Sequence, residues 1–370
     1  MYDTSFFAET ISRFQVDGEL ISFLQLGNGH INDTYELLMK DRDGKTFKLV
    51  LQRINTEVFK NPFELMKNVI GITDFLRKRI RIRGGNPDTE TLRFLETKDR
   101  NSFYITPGSE FFRAYYFIDN VVTLQQIRKL NDFYHCGKSF GRFMSDLSEY
   151  PADTLFDTIP NFHNTVSRFK DFTEAVSGDK AGRLGGVRNE VAFAMEREDI
   201  ADIIVNLLDS RELPLRVTHN DTKLNNVLMH EKTGQGICVI DLDTVMRGSC
   251  LYDFGDSIRF GASAAAEDET DLSLVGLDLE KFEAYTKGYF ESAGGALTDR
   301  EIDMLPDGAM LMTLECGVRF LGDYLNGDIY FKIQRPEHNL ERARTQFKLL
   351  ADMEQKRGDM KDIIRKISGR

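Results

Sequence analysis

The sequence has no tryptophan, only 4 cysteines and 8 prolines in 370 residues, and no hydrophobic run near the length of a membrane span. Because a transmembrane helix needs about 20 mostly apolar residues, we expect no membrane partner. The first residues lack the basic start and apolar core of a signal peptide. The cysteines show no spacing typical of zinc ligands; they are Cys136, Cys238, Cys250 and Cys316. These absences predict a cytoplasmic protein with reduced thiols.

Positive charge is also scarce. Lys and Arg number 48 against 59 Asp and Glu, so the net charge is −11. Nucleic-acid-binding domains usually carry a basic face, and this balance therefore predicts no nucleic acid partner. The basic cluster at residues 77–83 is the exception, and we interpret it as a solvated helix end. The expected partners are small molecules, while the sequence leaves the oligomeric state open and slightly favours a monomer.

Hydrophobic spacing divides the chain into a strand-rich start and a helical remainder. After a first helix, apolar runs predict strands and one helix; the strands are 20–26, 34–39, 47–53, 91–96 and 111–117, and the helix is 62–79. Farther along, helical spacing covers 127–147, 166–176, 191–208, 279–290, 299–325 and 336–367, with a hairpin at 227–229 and 237–240. We predict an α+β fold with two lobes. Residues 1–118 would form a small antiparallel-sheet lobe, and residues 119–370 a larger, mainly helical lobe.

The segment 218–226 is the most informative part of the chain, because it spells the pattern H-x-D-x-K-x-x-N. Phosphoryl transfer requires a base beside the attacking hydroxyl and oxygen ligands for Mg²⁺. Asp221 is our candidate for the base, and Lys223 for a cation that offsets charge on the γ-phosphate. His219 is expected to pack beneath the loop and fix its backbone. Taken singly, Asp221 could cap a turn and Lys223 could be a surface residue, so the joint spacing carries the prediction.

Three further side chains offer oxygen to a metal. Asn226 ends the loop, and Asp241 follows the apolar run at 237–240. Magnesium prefers a few hard oxygen ligands shared with phosphate and water, which these two residues would supply. Asp243 lies two residues beyond Asp241, where a strand would point it to the same side. A second Mg²⁺, a polar substrate and a surface ion pair are its alternative partners.

The tripeptide Asp253-Phe254-Gly255 spells the metal-binding motif of protein kinases. It follows Asp221 by 32 residues, whereas Asp241 follows by 20. The shorter separation suits one catalytic loop and one hairpin. We therefore assign the metal to Asp241, and we expect Asp253 to accept backbone N–H groups and brace the catalytic loop.

Gly27 and Gly29 precede His30 in a turn between the first two predicted strands. Glycine lets backbone N–H groups approach phosphates closely, which predicts nucleotide contact by all three residues. An ordinary hairpin turn is the alternative explanation. The Walker pattern of P-loop enzymes is absent, and so are the V-A-I-K and A-P-E signatures of protein kinases.

These motifs resemble those of the aminoglycoside phosphotransferase and choline kinase superfamily, which shares the protein-kinase-like fold. The segments 253–263 and 315–331 are more specific, and they are similar to the branch that phosphorylates N-acetylhexosamines. The resemblance implies transfer of the γ-phosphate of ATP, with Mg²⁺, to the anomeric hydroxyl of N-acetylglucosamine or N-acetylgalactosamine. An aminoglycoside, a choline-like amine or homoserine as acceptor, and a nucleotide-binding pseudokinase, are the alternatives.

The same resemblance assigns roles to residues outside the loop. Adenine would stack between the lobes and bond backbone groups at Tyr116, Phe117 and Ile118, with Phe260 close to that cleft. Arg319 and Tyr330 match positions that contact the sugar.

Two questions stay open at these positions. For Arg319, the alternative is an ion pair with Asp323, one helical turn away. Kinases also place a phosphate-clamping lysine on the third strand, whereas this strand ends in Gln52 and Arg53. Either residue could take that role, because the sequence does not fix the register of the strand.

Overall fold

The N-terminal part of the chain forms an antiparallel sheet in the computed structural model, which describes residues 2–26 and 31–370. A short helix precedes it, α1 (Thr4–Ile11). The five strands lie in the spatial order β1-β2-β3-β5-β4; they are β1 (Glu19–Gln25), β2 (Asp33–Lys40), β3 (Thr46–Ile54), β4 (Tyr104–Ile105) and β5 (Phe111–Tyr116). Phe7 and Ile11 of α1 pack with Leu37, Leu51 and Phe112 on one face of the sheet. That burial fixes which face each strand turns outward.

Helix α2 (Pro62–Ile82) covers part of the other side, as the sequence predicts. Its start follows local chemistry, because the Asn61 side chain accepts the Glu64 N–H at 3.3 Å and Pro62 takes the first turn. The predicted strand 91–96 is wrong as an element. Only Phe94 pairs with Tyr115, as an isolated bridge, because the chain then leaves β5 and Thr97 pairs with Phe14 instead.

The second part of the chain is mainly helical. Strand β6 (Val121–Val122) pairs with a hairpin of β8 (Val227–His230) and β9 (Gly236–Val239), and β7 (Arg216–Thr218) pairs with β10 (Met246–Gly248). The helices are α3 (Leu130–Asp146), α4 (Thr165–Gly178), α5 (Arg188–Met195), α6 (Ile203–Asp209), α7 (Cys250–Gly261), α8 (Leu279–Ala293), α9 (Asp299–Asn326), α10 (His338–Gln355) and α11 (Arg357–Ser368). The predicted α+β fold class is confirmed, and the division at residue 118 stays a prediction.

Two predicted helices are interrupted. The range 191–208 breaks between α5 and α6, where Arg197 donates through Nη1 to the carbonyl oxygen of Phe193 at 2.8 Å and ends the first helix. The final helix breaks at Lys356, between α10 and α11. Helix α7 is the opposite case, since the sequence analysis assigned its D-F-G residues to a loop brace and predicted no helix there.

Helices α3 and α8 pack at very short range because both carry glycine at the contact. A Cβ atom on Gly137 would lie 2.3 Å from the carbonyl oxygen of Tyr285, and one on Gly288 would lie 1.9 Å from that of Tyr134. No other residue fits at this separation. Of the two helices, α3 lies against the loop 218–226, where Phe140 and Phe143 contact His219. Among the described residues, no helix combines the length and the hydropathy that crossing a bilayer requires.

Candidate active site

The structure brings three predicted residues of the catalytic loop into direct contact. The loop leaves β7 at Thr218, and Lys223 Nζ lies 2.9 Å from Asp221 Oδ1. Asn226 Nδ2 donates to Asp221 Oδ2 at 3.0 Å and to the Asp221 carbonyl at 2.8 Å. The negative charge of Asp221 raises the pKa of Lys223 above its ordinary value, against the effect of burial. Lys223 is therefore a permanent cation that fixes and neutralises the candidate base.

His219 is buried beneath this loop. Its Nδ1 accepts the Asp221 N–H at 3.3 Å, and its Nε2 lies 2.8 Å from the carbonyl oxygen of Ile240. A carbonyl only accepts, so Nε2 carries the proton and the ring is the neutral tautomer. Phe140 and Phe143 contact the ring edge-on at 5.5 and 5.8 Å between centroids. His219 thus joins the backbone at Asp221 to the residue that precedes Asp241.

Helix α7 supplies a second support for the loop. Asp253 accepts the N–H of His219 at 2.8 Å and that of Asn220 at 2.7 Å, in the arrangement the sequence predicts for it. Asn220 needs this support, because its φ of 64° lies in the left-handed region that non-glycine residues rarely adopt. Asp256 adds a bond from the Thr222 N–H at 3.2 Å, which the sequence analysis missed.

Asp241 stands at the end of the hairpin, just after β9. Its φ of 59° turns the chain sharply, so the carboxylate faces away from the strand and is exposed. Surrounding protein, together with the carboxylates of Asp243 and Asp221, raises the pKa of Asp241 above its ordinary value. A divalent cation bound at this point would offset that unfavourable concentration of negative charge.

Asp243 does not share the exposure of Asp241. The turn after Asp241 directs it inward, where it is 2% exposed and forms an ion pair with Arg113 Nη1 at 2.6 Å. Its other oxygen accepts from Asn32 Nδ2. Oδ1 faces a buried cation without a well-aligned hydrogen bond, and Oδ2 accepts from an amide, so the geometry favours the ion-pair alternative over a metal ligand. The partner is buried, however, and not on the surface as the sequence analysis supposed.

The register of β3 separates the two candidates for the phosphate clamp. Gln52 pairs across the sheet with Arg113, and Arg53 pairs with Phe112, so their side chains lie on opposite faces. Arg53 binds Asp33, with Nε 2.8 Å from Oδ2, away from the catalytic groups. Gln52 accepts from Arg113 Nε at 2.9 Å and donates to Thr34 Oγ1 at 2.9 Å. Gly27, Gly29 and His30 lie outside the described residues.

The residues predicted to bond adenine lie at the end of β5 and in the connection from β5 to β6. Phe117 donates its N–H to the Lys48 carbonyl at 3.3 Å, while Tyr116 ends β5 and Ile118 is buried. Phe260 lies half-buried in the last turn of α7. Nucleotide contacts by these residues stay predictions.

Arg319 lies on α9 among aromatic rings. Its guanidinium carbon is 5.6 Å from the centroid of Phe162, 5.6 Å from Phe331 and 5.9 Å from Tyr330. Its only ion pair among the described residues is a long one, 3.8 Å to Glu315. Four-fifths of the side chain is buried, yet within the described residues it has no hydrogen-bond partner. Its N–H donors are therefore available to a ligand.

The expected alternative, an ion pair between Arg319 and Asp323, does not form. Asp323 instead accepts the backbone N–H groups of Ile329, Tyr330 and Phe331, at 3.0, 2.9 and 2.9 Å. This carboxylate folds the segment after α9 back over the helix. Tyr330 is thereby held beside Arg319 with 65% of its surface exposed.

A buried histidine that the sequence analysis missed connects Arg319 to the catalytic loop. His163 Nδ1 lies 2.7 Å from Glu315 Oε1, and its Nε2 lies 3.1 Å from the carbonyl oxygen of Asn220. Glu315 also faces Arg319. The only sequence signal was a glutamate among the core residues of α9.

Comparison with known proteins finds one matching family and several similar folds. The phosphotransferase enzyme family matches residues 22–287. A microcompartment-associated aminopropanol kinase has a TM-score of 0.60 at 16% identity, covering 97% of this chain and 98% of that one. Choline kinase from Cryptosporidium parvum gives 0.58 at 13% identity, with 96% and 97% covered. The spectinomycin phosphotransferase, in complex with ADP and spectinomycin, gives 0.55 at 15%, with 94% and 98% covered.

At such identities the solved structures establish a shared fold alone. The family match is independent of them, and it covers most of the chain, including the catalytic loop, Asp241 and Asp253. The protein therefore belongs to the phosphotransferase enzyme family.

Proposed function

We propose that this phosphotransferase transfers the γ-phosphate of ATP to the anomeric hydroxyl of an N-acetylhexosamine. The observation that carries the proposal is the path of contacts from the catalytic loop to Arg319, through His163 and Glu315. It ties a face rich in hydrogen-bond donors to the loop that holds the candidate base Asp221. A kinase for neutral, oxygen-rich acceptors needs such a face.

Asp221 would accept the proton of the acceptor hydroxyl as its oxygen attacks phosphorus. The anomeric hydroxyl is more acidic than an ordinary alcohol, so a carboxylate base is sufficient. Lys223, 2.9 Å from Asp221 Oδ1, would orient the carboxylate and add positive charge where the phosphoryl group would pass. Asn226 restrains the second oxygen.

Asn226 and Asp241 are the residues that would hold Mg²⁺. An amide oxygen and a carboxylate are ligands this ion prefers, and Asp241 has no hydrogen-bond partner among the described residues. Within those residues, no three His, Cys, Asp or Glu side chains group as a metal site by themselves. That suits an ion completed by phosphate oxygens and water. The ion would neutralise charge on the phosphates.

The charges near Arg319 support a neutral or oxygen-rich acceptor over a cationic one. Arg168 donates through Nε to the carbonyl oxygen of Phe162 at 3.1 Å, and the Phe162 ring lies 5.6 Å from Arg319, so both cations border Phe162. Burial, with the positive charge of Arg319, lowers the pKa of Arg168. The carboxylate beside them, Glu315, is buried and bonded to His163. Sugar hydroxyls and an acetamido carbonyl accept from guanidinium groups, whereas an ammonium group would be repelled.

The alternative is an amine-bearing alcohol, as the names of the aminopropanol kinase and the spectinomycin phosphotransferase suggest. Incubation with ATP, Mg²⁺ and a panel of sugars and amino alcohols separates the two, with ³¹P NMR of the products. We expect sugar 1-phosphates from N-acetylglucosamine or N-acetylgalactosamine. Turnover of amines alone would favour the alternative, and ATP binding without any transfer would indicate a pseudokinase.

A further inference from the structure

The cation expected on β3 is supplied by a different strand. Kinases place a phosphate-clamping lysine on the third strand, but on the face of β3 that Arg113 shares this chain has the neutral amide of Gln52. Arg113, directly opposite on β5, donates to that amide through Nε at 2.9 Å and through Nη2 at 2.6 Å. The positive charge therefore enters the site from β5.

The guanidinium of Arg113 is directed at the metal-binding segment. The residue is 3% exposed, and its Nη1 lies 2.6 Å from Asp243 Oδ1, two residues beyond Asp241. With Nε and Nη2 bonded to Gln52, most of its donors already have protein partners. Arg113 is thus placed to act through Asp243 and not by contact with phosphate.

A second N-terminal residue holds the same carboxylate. Asn32 donates through Nδ2 to Asp243 Oδ2, while its Oδ1 accepts the Asn55 N–H at 2.8 Å. Asn32 directly precedes β2, and Asn55 directly follows β3. One buried carboxylate from the second part of the chain is therefore tied to β5 and to the ends of β2 and β3.

We propose that Arg113 is a positioning residue for phosphoryl transfer. By pairing with Asp243, it holds the turn that carries Asp241 at a fixed distance from the N-terminal sheet, so that the metal-bound phosphates meet both parts of the chain. The inference rests on the proposed phosphotransferase function, and it assigns to an arginine on β5 the role of aligning the two parts.

Calorimetric titration of the full chain with ATP, once with Mg²⁺ and once with EDTA, tests this role. A supporting residue of a metal site typically changes metal affinity by about 10- to 100-fold. We therefore expect Arg113→Met to weaken Mg²⁺–ATP binding about tenfold or more, and metal-free ATP binding by less than about twofold. Arg113→Lys keeps the charge but cannot bridge Gln52 and Asp243, so its loss should be intermediate.

Arg77→Met is the matched control. Arg77 lies on α2, is mostly buried and pairs with Asp88 at 2.9 Å, away from Asp243. We expect it to change neither titration. The double variant Arg113→Met with Asp243→Asn should bind Mg²⁺–ATP no more weakly than the worse single variant, because both substitutions remove one interaction.

Equal weakening with and without Mg²⁺ would overturn the inference, since it would indicate direct phosphate contact or a general loss of structure. Unchanged Mg²⁺–ATP affinity would overturn it as well. If Arg113→Met does not fold, Asn32→Ala removes the other donor to Asp243 and should give a smaller loss, again confined to the Mg²⁺ titration. No acceptor is present in these titrations, so failure of sugar turnover would count against the proposed function and leave this test standing.

Discussion

The catalytic loop and the face around Arg319 differ in whether their polar groups are hydrogen-bonded within the protein. Beneath the loop, Asp253 accepts two backbone N–H groups and His219 uses both ring nitrogens. Around Arg319, by contrast, aromatic rings surround a guanidinium whose donors have no hydrogen-bond partner among the described residues. The polar groups beneath the loop are bonded to other protein groups, as in a protein core. The guanidinium donors of Arg319 lack such partners among the described residues, as expected of a surface that binds a ligand.

This difference separates positioning from recognition. A base must be held within a fraction of an ångström, which requires that its supports be saturated by the protein itself. An acceptor is recognised by groups that only the correct ligand satisfies. The loop and the Arg319 face are nevertheless joined, because His163 contacts both Glu315 and the Asn220 carbonyl. Substitutions in each region should therefore have distinguishable effects.

Replacing the candidate base should give the largest effect. Asp221→Asn keeps the size and the bond from Asn226 but removes the carboxylate that we propose as proton acceptor, and we expect turnover to fall about 10²- to 10⁴-fold. ATP should still bind, which calorimetry would check. Glu231→Gln, an exposed acid on the nearby hairpin turn, is the control and should keep its rate. A near-normal rate in Asp221→Asn would remove Asp221 from the role of base.

Replacing Asp253, which braces the catalytic loop, should have the second-largest effect. Asp253→Ala leaves the N–H groups of His219 and Asn220 buried without an acceptor, and each such group costs about 1–3 kcal/mol. We expect the free energy of unfolding, measured by urea denaturation, to fall by about 2–6 kcal/mol.

Asp278→Ala is the matched comparison for the brace. Asp278 also accepts two backbone N–H groups, from Glu280 and Lys281, but it does so at the start of α8 near the surface. Loss of a helix cap of this kind costs about 1 kcal/mol. Equal losses in the two variants would show that the loop is not specially dependent on its buried brace.

Replacing Arg319 should weaken acceptor binding and leave ATP binding unchanged. A hydrogen bond to a charged group contributes about 1.5–3 kcal/mol, so Arg319→Met should raise KM for the acceptor by about 10- to 100-fold. KM for ATP should stay unchanged in the same assay. Arg342→Met, whose guanidinium stacks 5.4 Å from the ring of Phe320, is the control. A parallel rise in both KM values would place Arg319 outside the acceptor site.

The comparison also explains which parts could be predicted from the sequence. The loop 218–226 and the hairpin after it are local, so their spacing alone indicated Asp221, Lys223 and Asn226. The strands of the N-terminal sheet were equally accessible, because their apolar pattern is set by burial on one face. The segment 91–96 could not be predicted in this way. Phe94 pairs with Tyr115 of β5 and Thr97 pairs with Phe14, so tertiary contacts decide whether a strand forms there.

Residues that act across long separations could not be predicted in this way. Arg113 lies 130 positions before Asp243, and His163 lies 152 before Glu315. Neither carries a motif, and only the folded chain brings them together. The expectation that Asp243 points to the same side as Asp241 was wrong for a local reason. A strand was assumed after Asp241, but the left-handed φ of Asp241 starts a short helical turn that points Asp243 inward.

The smallest expected effect concerns the link between the two regions. His163 has an acceptor at each ring nitrogen, the Glu315 carboxylate and the Asn220 carbonyl, so both nitrogens donate only when the ring is charged. Burial opposes that charge, but Glu315 outweighs it and raises the pKa of His163 above its ordinary value. A raised pKa adds stability that is fully present below the unfolded-state pKa, about 6.5. That stability is lost as the pH rises through the folded-state pKa.

Urea denaturation of the wild type and of His163→Gln at several pH values from 6 to 9 would measure this contribution. Other titrating groups cancel in the difference between the two proteins, and we expect the difference to shrink as the pH rises. His230→Gln, at a half-buried histidine on the hairpin, is the control for replacing an imidazole by an amide. A difference that is independent of pH would mean that His163 is neutral. The catalytic loop and the face around Arg319 would then be joined by hydrogen bonds of a neutral His163, and not by an ion pair with Glu315.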